Sequence, residues 1–162
     1  MTPAPAILAA MTPEATAALD NKPYVRLTVL PFRIGREARS RSRLTNMMNN
    51  IERRLNTVPQ LNELYLFEPS TSGEFNISRE HCAIDWVDGQ FMLVDRGSAC
   101  GSTIIESRAE ERPSAIATTQ VGQYGTTRRA VLRDGDLIVL GPVSSPYVFR
   151  FQVEGREAQI RS

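Results

Sequence analysis

Two short motifs carry side chains that could bind a phosphate group together. Gly35-Arg36 ends one apolar segment, and Ser78-Arg79 precedes another. A guanidinium offers planar, charge-assisted donors to two oxygens of an oxyanion, and a hydroxyl adds a further donor. Each motif alone is common. The prediction of an anion site therefore depends on a fold that brings Arg36, Ser78 and Arg79 to one place.

The only histidine, His81, lies three residues beyond Ser78. A lone histidine near the start of a strand is more often a hydrogen-bonded structural group than an acid or base. Glu80 beside it is not a catalytic pair by spacing alone. The chain has no Gly-x-Ser-x-Gly elbow, no P-loop and no metal-ligand spacing. We therefore expect no enzymatic activity, no metal and no cofactor.

Composition places the chain among ordinary globular proteins. Its 162 residues are 41% hydrophobic and 23% charged, with a formal net charge of +1, which fits one domain with a core. A nearly neutral chain is not drawn to nucleic acid by bulk charge, and no apolar run is long enough to span a bilayer. Cys82 and Cys100 indicate neither a metal site nor a disulfide framework, which favours a cytoplasmic location.

Short β-branched or alternating segments separated by turn residues predict an all-β protein, a sandwich of two antiparallel sheets. Asp88-Gly89 is a hairpin-turn signal between two of the segments. The predicted strands are Tyr24–Leu30, Phe32–Ile34, Leu61–Phe67, Cys82–Val87, Gln90–Asp95, Thr103–Ile105, Leu137–Leu140 and Tyr147–Val153, and the chain re-enters the fold at Arg128–Leu132.

One segment has helical rather than strand periodicity. Apolar residues recur on one helix face at Leu44, Met47, Met48, Ile51 and Leu55, which predicts an inserted amphipathic helix at about 40–56. We expect this helix either to pack on the sandwich or to offer an apolar surface to a partner.

The remaining segments set the domain limits. We expect a flexible N-terminal tail over 1–22, because Ala, Pro and Thr dominate it. The domain then covers 23–155, with insertions at about 37–60 and 106–130, and a C-terminal tail covers 156–162.

Four motifs, in their order along the chain, resemble those of the forkhead-associated (FHA) domain, a β-sandwich that reads phosphothreonine. They are Gly35-Arg36, Ser78-Arg79-Glu80-His81, the loop from Asp95 to Ser102, and Asp134-Gly135-Asp136 continuing to Gly141. The resemblance covers roughly Tyr24 to Val153. It implies that Arg36 is the main phosphate ligand, that Ser78 adds its hydroxyl and backbone N–H, and that Arg79 supplies a second charge.

The resemblance also assigns the loops around these residues. It implies that Gly35, His81 and Gly101 support the binding loops and that Ser98, Ala99 and Cys100 contact the peptide. Cys100 stands where the family has an asparagine that holds the peptide backbone. Because a thiol is a poor donor and acceptor, we expect a weaker grip on the peptide, or a grip supplied by a backbone amide or the hydroxyl of Ser98 or Ser102.

Two functions of different kinds remain open at this stage. The first is a phosphothreonine-dependent protein interaction module in signalling, with a threonine-phosphorylated protein or peptide as its partner. The second is a phosphate-independent scaffold that uses the helix or the 106–130 insertion. Under the first function, phosphorylated Thr12 or Thr16 of the N-terminal tail is a candidate ligand for the chain's own site, because a short tether gives a high effective concentration.

Overall fold

The computed structural model describes residues 2–37, 60–107, 118–122 and 127–155. The predicted helix at about 40–56, most of the 106–130 insertion and the tail at 156–162 lie outside these ranges. Their structures stay predictions. Within the described ranges, no helix is both long enough and apolar enough to cross a membrane.

Two sheets make up the described part of the chain. The first contains β1 (Ala6–Ala10), β2 (Tyr24–Arg26), β7 (Ser102–Ile105), β8 (Thr118–Val121), β10 (Leu137–Leu140) and β11 (Val148–Val153), in the order β2-β1-β11-β10-β7-β8. The second contains β3 (Phe32–Arg36), β4 (Leu64–Leu66), β5 (Cys82–Val87), β6 (Gln90–Asp95) and β9 (Arg129–Leu132), in the order β4-β3-β5-β6-β9. The predicted all-β sandwich is confirmed, although β4 runs parallel to β3 rather than antiparallel.

Apolar side chains from the two sheets meet in one core. Ile84 and Leu93 of the second sheet and Phe149 and Phe151 of the first are almost completely buried. The rings of Phe91 and Phe151 pack edge to face across the core, with centroids 5.0 Å apart. Burying each such side chain stabilises the fold by about 1.5–3 kcal/mol, so this core is the rigid base for the loops at its ends.

The N-terminal segment is an ordered part of the sandwich. β1 lies between β2 and β11, where Leu8 pairs with both Val25 and Phe151. A short helix, α1 (Pro13–Ala18), follows, and its Ala15 is fully buried. The prediction of a flexible tail over 1–22 is therefore wrong for this segment. Alanine has low strand propensity, so the local sequence did not show a strand that owes its stability to neighbours on both sides.

Several predicted strands are confirmed, some with shorter bounds. β5 and β6 have the predicted limits, and Asp88 and Gly89 between them have φ values of 51° and 76°, as a type I′ turn requires. By contrast, β2 ends at Arg26 and β4 covers only Leu64–Leu66. The predicted strands Tyr24–Leu30 and Leu61–Phe67 were therefore too long.

Strand register brings three chain segments to one end of the second sheet. Ile34 near the end of β3 pairs with Cys82 at the start of β5, and Cys82 pairs with Asp95 at the end of β6. Arg36, the residues before Cys82 and the loop after Asp95 therefore emerge beside one another. The fold thus places the two candidate phosphate motifs at the same end of the sandwich.

Candidate functional site

Arg36, the last residue of β3, is held by its neighbours on two sides. Its Nε donates to the carbonyl of Ile77 at 3.0 Å, and its Cζ lies 3.7 Å from the centroid of the Phe75 ring. Its backbone N–H donates to the carbonyl of Ser78 at 2.9 Å. No acceptor among the described residues bonds to its two terminal nitrogens. These nitrogens are the groups that a bidentate anion would use.

The charge around Arg36 is positive and lacks a direct counter-ion. Burial, and then the charge of Arg79, lowers the pKa of Arg36, while the charge of Glu68 opposes this shift. The buried carboxylate of Glu68 accepts the backbone N–H groups of Asn76 and Ile77, each at 2.9 Å. Within the described ranges, no carboxylate lies in ion-pair contact with Arg36. The site therefore contains two neighbouring cations, Arg36 and Arg79, whose mutual repulsion an anion would reduce.

Ser78 has one hydrogen-bonding group that is available to a ligand. Its Oγ accepts the backbone N–H of Ala99 at 2.9 Å, which leaves the hydroxyl proton to donate elsewhere. Its backbone N–H donates to Nδ1 of His81 at 2.9 Å. The expectation that this N–H binds phosphate is therefore wrong in this arrangement, because the histidine already occupies it.

Gly35 permits close contact between β3 and the Ser78-Arg79 loop. A Cβ atom at Gly35 would lie 1.8 Å from the backbone oxygen of Arg79, so no larger residue fits there without moving the loop. Asn62 fixes that oxygen by donating to it at 2.8 Å. The side chain of Arg79 is exposed, and its backbone N–H has no acceptor in the part of the chain that the structure describes.

His81 joins the two loops on either side of it. It is completely buried, and its Nε2 donates to the carbonyl of Gly101 at 2.8 Å. Because Nδ1 accepts the Ser78 N–H, the proton lies on Nε2 and the ring is neutral. Burial lowers the pKa of His81. Both ring nitrogens are in use, so the structure places His81 as a brace beneath the loops.

The loop after β6 is organised around Asp95. The Asp95 carboxylate accepts the backbone N–H groups of Gly97 and Ser98, at 2.9 and 3.2 Å, and also the Ser98 hydroxyl. Ser98 is fully buried, and its Oγ accepts the N–H of Gly101 at 3.0 Å. Ser102 is also buried, with Oγ 3.1 Å from Nε2 of His81. The expectation that the Ser98 or Ser102 hydroxyl contacts peptide is therefore wrong, because both face inward.

The loop reaches the surface at Ala99 and Cys100 and returns to the interior at Gly101, which is buried. Ala99 is exposed, and Cys100 is half-buried with its Sγ 3.8 Å from the carbonyl of Phe75. Gly101 has a φ of 69°, and a Cβ there would lie 2.9 Å from the carbonyl oxygen of Val121. This glycine therefore permits both the left-handed turn and the close contact with β8.

Sequence reasoning missed three residues that shape the site: Asn62, Glu68 and Phe75. Only Phe75 carried a signal, as an aromatic residue within a loop rich in Ser, Thr and Gly. A third cation, Arg96, lies close by but is engaged, because it donates to Glu80 at 3.0 Å and to Asn62. In the described ranges, no group of His, Cys, Asp or Glu side chains could hold a metal ion.

Comparisons with known proteins identify the fold and match part of the chain to a family model. The family model described as the FHA domain matches residues 62–141. The FHA domain of an Arabidopsis thaliana hypothetical protein is 16% identical, with a TM-score of 0.52, and the alignment covers 94% of this chain and 88% of that one. No curated protein sequence matches the chain.

Two further solved structures are similar over most of this chain. Mycobacterium tuberculosis EmbR, in complex with a low-affinity phosphopeptide, is 17% identical with a TM-score of 0.49, and the alignment covers 93% of this chain but 24% of EmbR. The FHA domain of human APLF, in complex with an XRCC1 bisphospho peptide, is 14% identical with a TM-score of 0.43, covering 91% and 96% of the two chains. The match of residues 62–141 to the forkhead-associated (FHA) domain model and the shared fold together show an FHA-like β-sandwich in this chain.

Proposed function

We propose that this chain is a phosphopeptide-binding interaction module that reads phosphothreonine through Arg36, Ser78 and Arg79. The observation that carries the proposal is the cluster of donors without internal partners at one end of the sandwich. Arg36 presents two terminal nitrogens, Ser78 one hydroxyl proton, and Arg79 a backbone N–H and an exposed guanidinium. A tetrahedral dianion matches such a set of converging donors.

The electrostatics support a doubly charged ligand. Burial and the charge of Arg79 both lower the pKa of Arg36, which means that the site disfavours two unneutralised cations. A phosphothreonine carries about −1.5 to −2 charges at neutral pH and would neutralise them together. Removing the phosphate removes this gain, so a kinase and a phosphatase could switch binding on and off.

The peptide backbone would lie along the loop at Ala99 and Cys100. Its position is fixed from below by Asp95, Ser98 and His81, so the loop is a preorganised edge for a peptide. Cys100 offers only a weak hydrogen-bonding group there. Specificity would therefore depend on the phosphate more than on the residue that follows it.

The test is binding of a phosphothreonine peptide library to the wild type, with isothermal titration calorimetry on the selected peptides. Arg36→Ala should lower affinity at least about a hundredfold, because charge-assisted bonds to a desolvated anion are among the strongest in proteins. Arg26→Ala is the matched control, since Arg26 is an exposed arginine paired with Glu154 on the edge strand β2. This variant should bind like the wild type.

Peptides of the same sequence with different modifications test whether the ligand is phosphothreonine. Each selected sequence is measured with phosphothreonine, phosphoserine and unmodified threonine, and phosphothreonine should bind most tightly. If the wild type does not prefer any phosphorylated peptide to its unmodified counterpart, the proposal is wrong. The phosphate-independent scaffold would then be the better description, with contacts through the helix predicted at about 40–56 or the insertion at about 106–130.

A further inference from the structure

We propose that Phe75 is a positioning residue that fixes the guanidinium of Arg36 with its two terminal nitrogens available to an anion. Phe75 lies in none of the motifs that carry the FHA resemblance. The inference rests on the proposed function for the nature of the ligand, but the orientation of Arg36 can be measured without any ligand.

Two contacts restrain the guanidinium at once. Its Cζ lies 3.7 Å from the centroid of the Phe75 ring. This is about the contact distance of two carbon atoms, so the group lies against the face of the ring. Its Nε donates to the Ile77 carbonyl at 3.0 Å. One face and one nitrogen are therefore engaged, and the edge with the terminal nitrogens is left for a bidentate approach.

The loop that carries Phe75 is itself held by buried groups. Glu68, which is 6% exposed, accepts the backbone N–H groups of Asn76 and Ile77 and the side-chain amide of Asn76. The Ile77 side chain is completely buried, and Cys100 Sγ lies 3.8 Å from the Phe75 carbonyl. The position of the ring is therefore built into the fold rather than left to a free loop.

This restraint affects the affinity for an anion and limits the other contacts that Arg36 could make. An unrestrained arginine has many rotamers and loses that freedom when it binds a ligand, whereas a preorganised one loses less. The charge of Glu68 also acts on Arg36, so an arginine released from the ring could turn toward that carboxylate. Phe75 therefore keeps Arg36 directed at an external anion.

The experiment compares Phe75→Leu with Phe75→Tyr. Leucine keeps an apolar side chain but lacks the aromatic face, and tyrosine keeps the face. Isothermal titration calorimetry with a phosphothreonine peptide should show about tenfold weaker binding for Phe75→Leu, as expected for a partly desolvated cation–π contact, and near wild-type binding for Phe75→Tyr. Thermal unfolding of both variants checks that the fold is intact.

Nuclear magnetic resonance of the unliganded protein gives the readout that a merely structural role would not change. The Arg36 Nε–Hε signal should be shifted by the ring current and protected from exchange in the wild type and in Phe75→Tyr. Both effects should be lost in Phe75→Leu. An Arg36 signal that is the same in all three proteins would overturn the inference, as would equal loss of affinity in both variants.

The two proposals fail in different ways. If the wild type does not bind any phosphopeptide while the Arg36 signal responds to Phe75→Leu alone, the proposed function is wrong and the positioning role stands. If the wild type binds phosphopeptide and Phe75→Leu binds equally well, the proposed function stands and the positioning role is wrong.

Discussion

The backbone N–H of Ser78 donates to Nδ1 of His81 at 2.9 Å, so the residue whose hydroxyl we propose binds phosphate is held by an imidazole that accepts this bond only when it is neutral. A protonated ring has no acceptor and would leave this N–H without its partner. The opposite ring nitrogen donates to Gly101 at 2.8 Å. One buried side chain therefore bonds to both loops, and protonating it would remove one of these two bonds.

This relationship predicts that the domain loses stability in mild acid. Burial lowers the pKa of His81 in the folded state, so below about pH 6.5 the unfolded chain binds a proton that the folded chain does not. The free energy of unfolding should therefore fall as the pH falls from about 6.5 toward the folded pKa, by at most about 1.4 kcal/mol per pH unit.

Urea unfolding without ligand at pH 7.5, 6.5 and 5.5 measures this effect. Binding is the wrong readout here, because the second pKa of the phosphate itself is about 6. His81→Gln is the control, since His81 is the only histidine and the variant should lose most of the slope in this range. A wild type with equal stability at all three pH values would contradict the prediction.

A second prediction concerns Gly35. Gly35→Ala places a methyl group 1.8 Å from the Arg79 backbone oxygen, which only movement of the Ser78-Arg79 loop can relieve. We expect a loss of about 3 kcal/mol or more in the free energy of unfolding, together with loss of phosphopeptide binding. Denaturant unfolding and calorimetry measure the two effects.

Gly73→Ala is the control, because it separates the effect of the close contact at Gly35 from the general effect of replacing a glycine. Gly73 has a φ of 82°, and a Cβ there would meet nothing within 4 Å. The substitution should therefore cost only the left-handed backbone strain, about 1–2 kcal/mol, and should leave binding intact. Equal losses in the two variants would show that the contact with Arg79 is unimportant.

The sequence predicted those parts of the fold whose signals are local. The Cys82–Val87 and Gln90–Asp95 strands were predicted residue for residue, because alternation and an Asp-Gly turn determine a hairpin almost alone. β1 was missed because its stability comes from its two neighbours in the sheet. One of them, β11, is far away along the chain, and the other, β2, is only three residues long. The hypothesis that phosphorylated Thr12 or Thr16 docks into the chain's own site assumed a flexible tail, but β1 and α1 are ordered. The Thr12 hydroxyl already caps α1 by accepting the Ala15 N–H at 3.1 Å.

The sequence indicated which residue types the candidate site contains but not the directions of their side chains. Arg36, Ser78 and Arg79 could be chosen because phosphate chemistry calls for them. Nothing in the sequence tells which of several loop hydroxyls faces inward, so it gave no reason to doubt the assignment of Ser98 to the peptide that the resemblance implied. The role of Glu68 depends on hydrogen bonds to backbone groups eight and nine residues away, which follow no spacing rule.

A third prediction follows from the buried position of Ser98. Ser98→Ala leaves the Gly101 N–H without its acceptor, and an unsatisfied buried donor costs about 1–3 kcal/mol. The free energy of unfolding should fall by that amount. Ser72→Ala, in an exposed loop, should change it by less than about 0.5 kcal/mol. If Ser98→Ala lowers peptide affinity without lowering stability, the hydroxyl contacts the ligand after all.

The last prediction concerns Cys100, whose thiol has, among the residues that the structure describes, only the carbonyl of Phe75 as a partner, at 3.8 Å. Cys100→Asn would supply an amide with two donors and an acceptor at the edge where we propose that the peptide backbone lies. One added hydrogen bond of about 1 kcal/mol should strengthen phosphopeptide binding about fivefold. Cys100→Ala should change it less than about twofold, because the thiol contributes little to begin with.

The isolated amino acid phosphothreonine distinguishes a peptide contact from a general effect on the phosphate site. It has the phosphate but no neighbouring backbone, so Cys100→Asn should not strengthen its binding, as measured by calorimetry beside the peptide. An equal gain for both ligands would mean that the substitution acts on Arg36 through the Phe75 loop. A gain for the peptide alone would show that the side chain at position 100 limits how tightly the domain binds the peptide backbone.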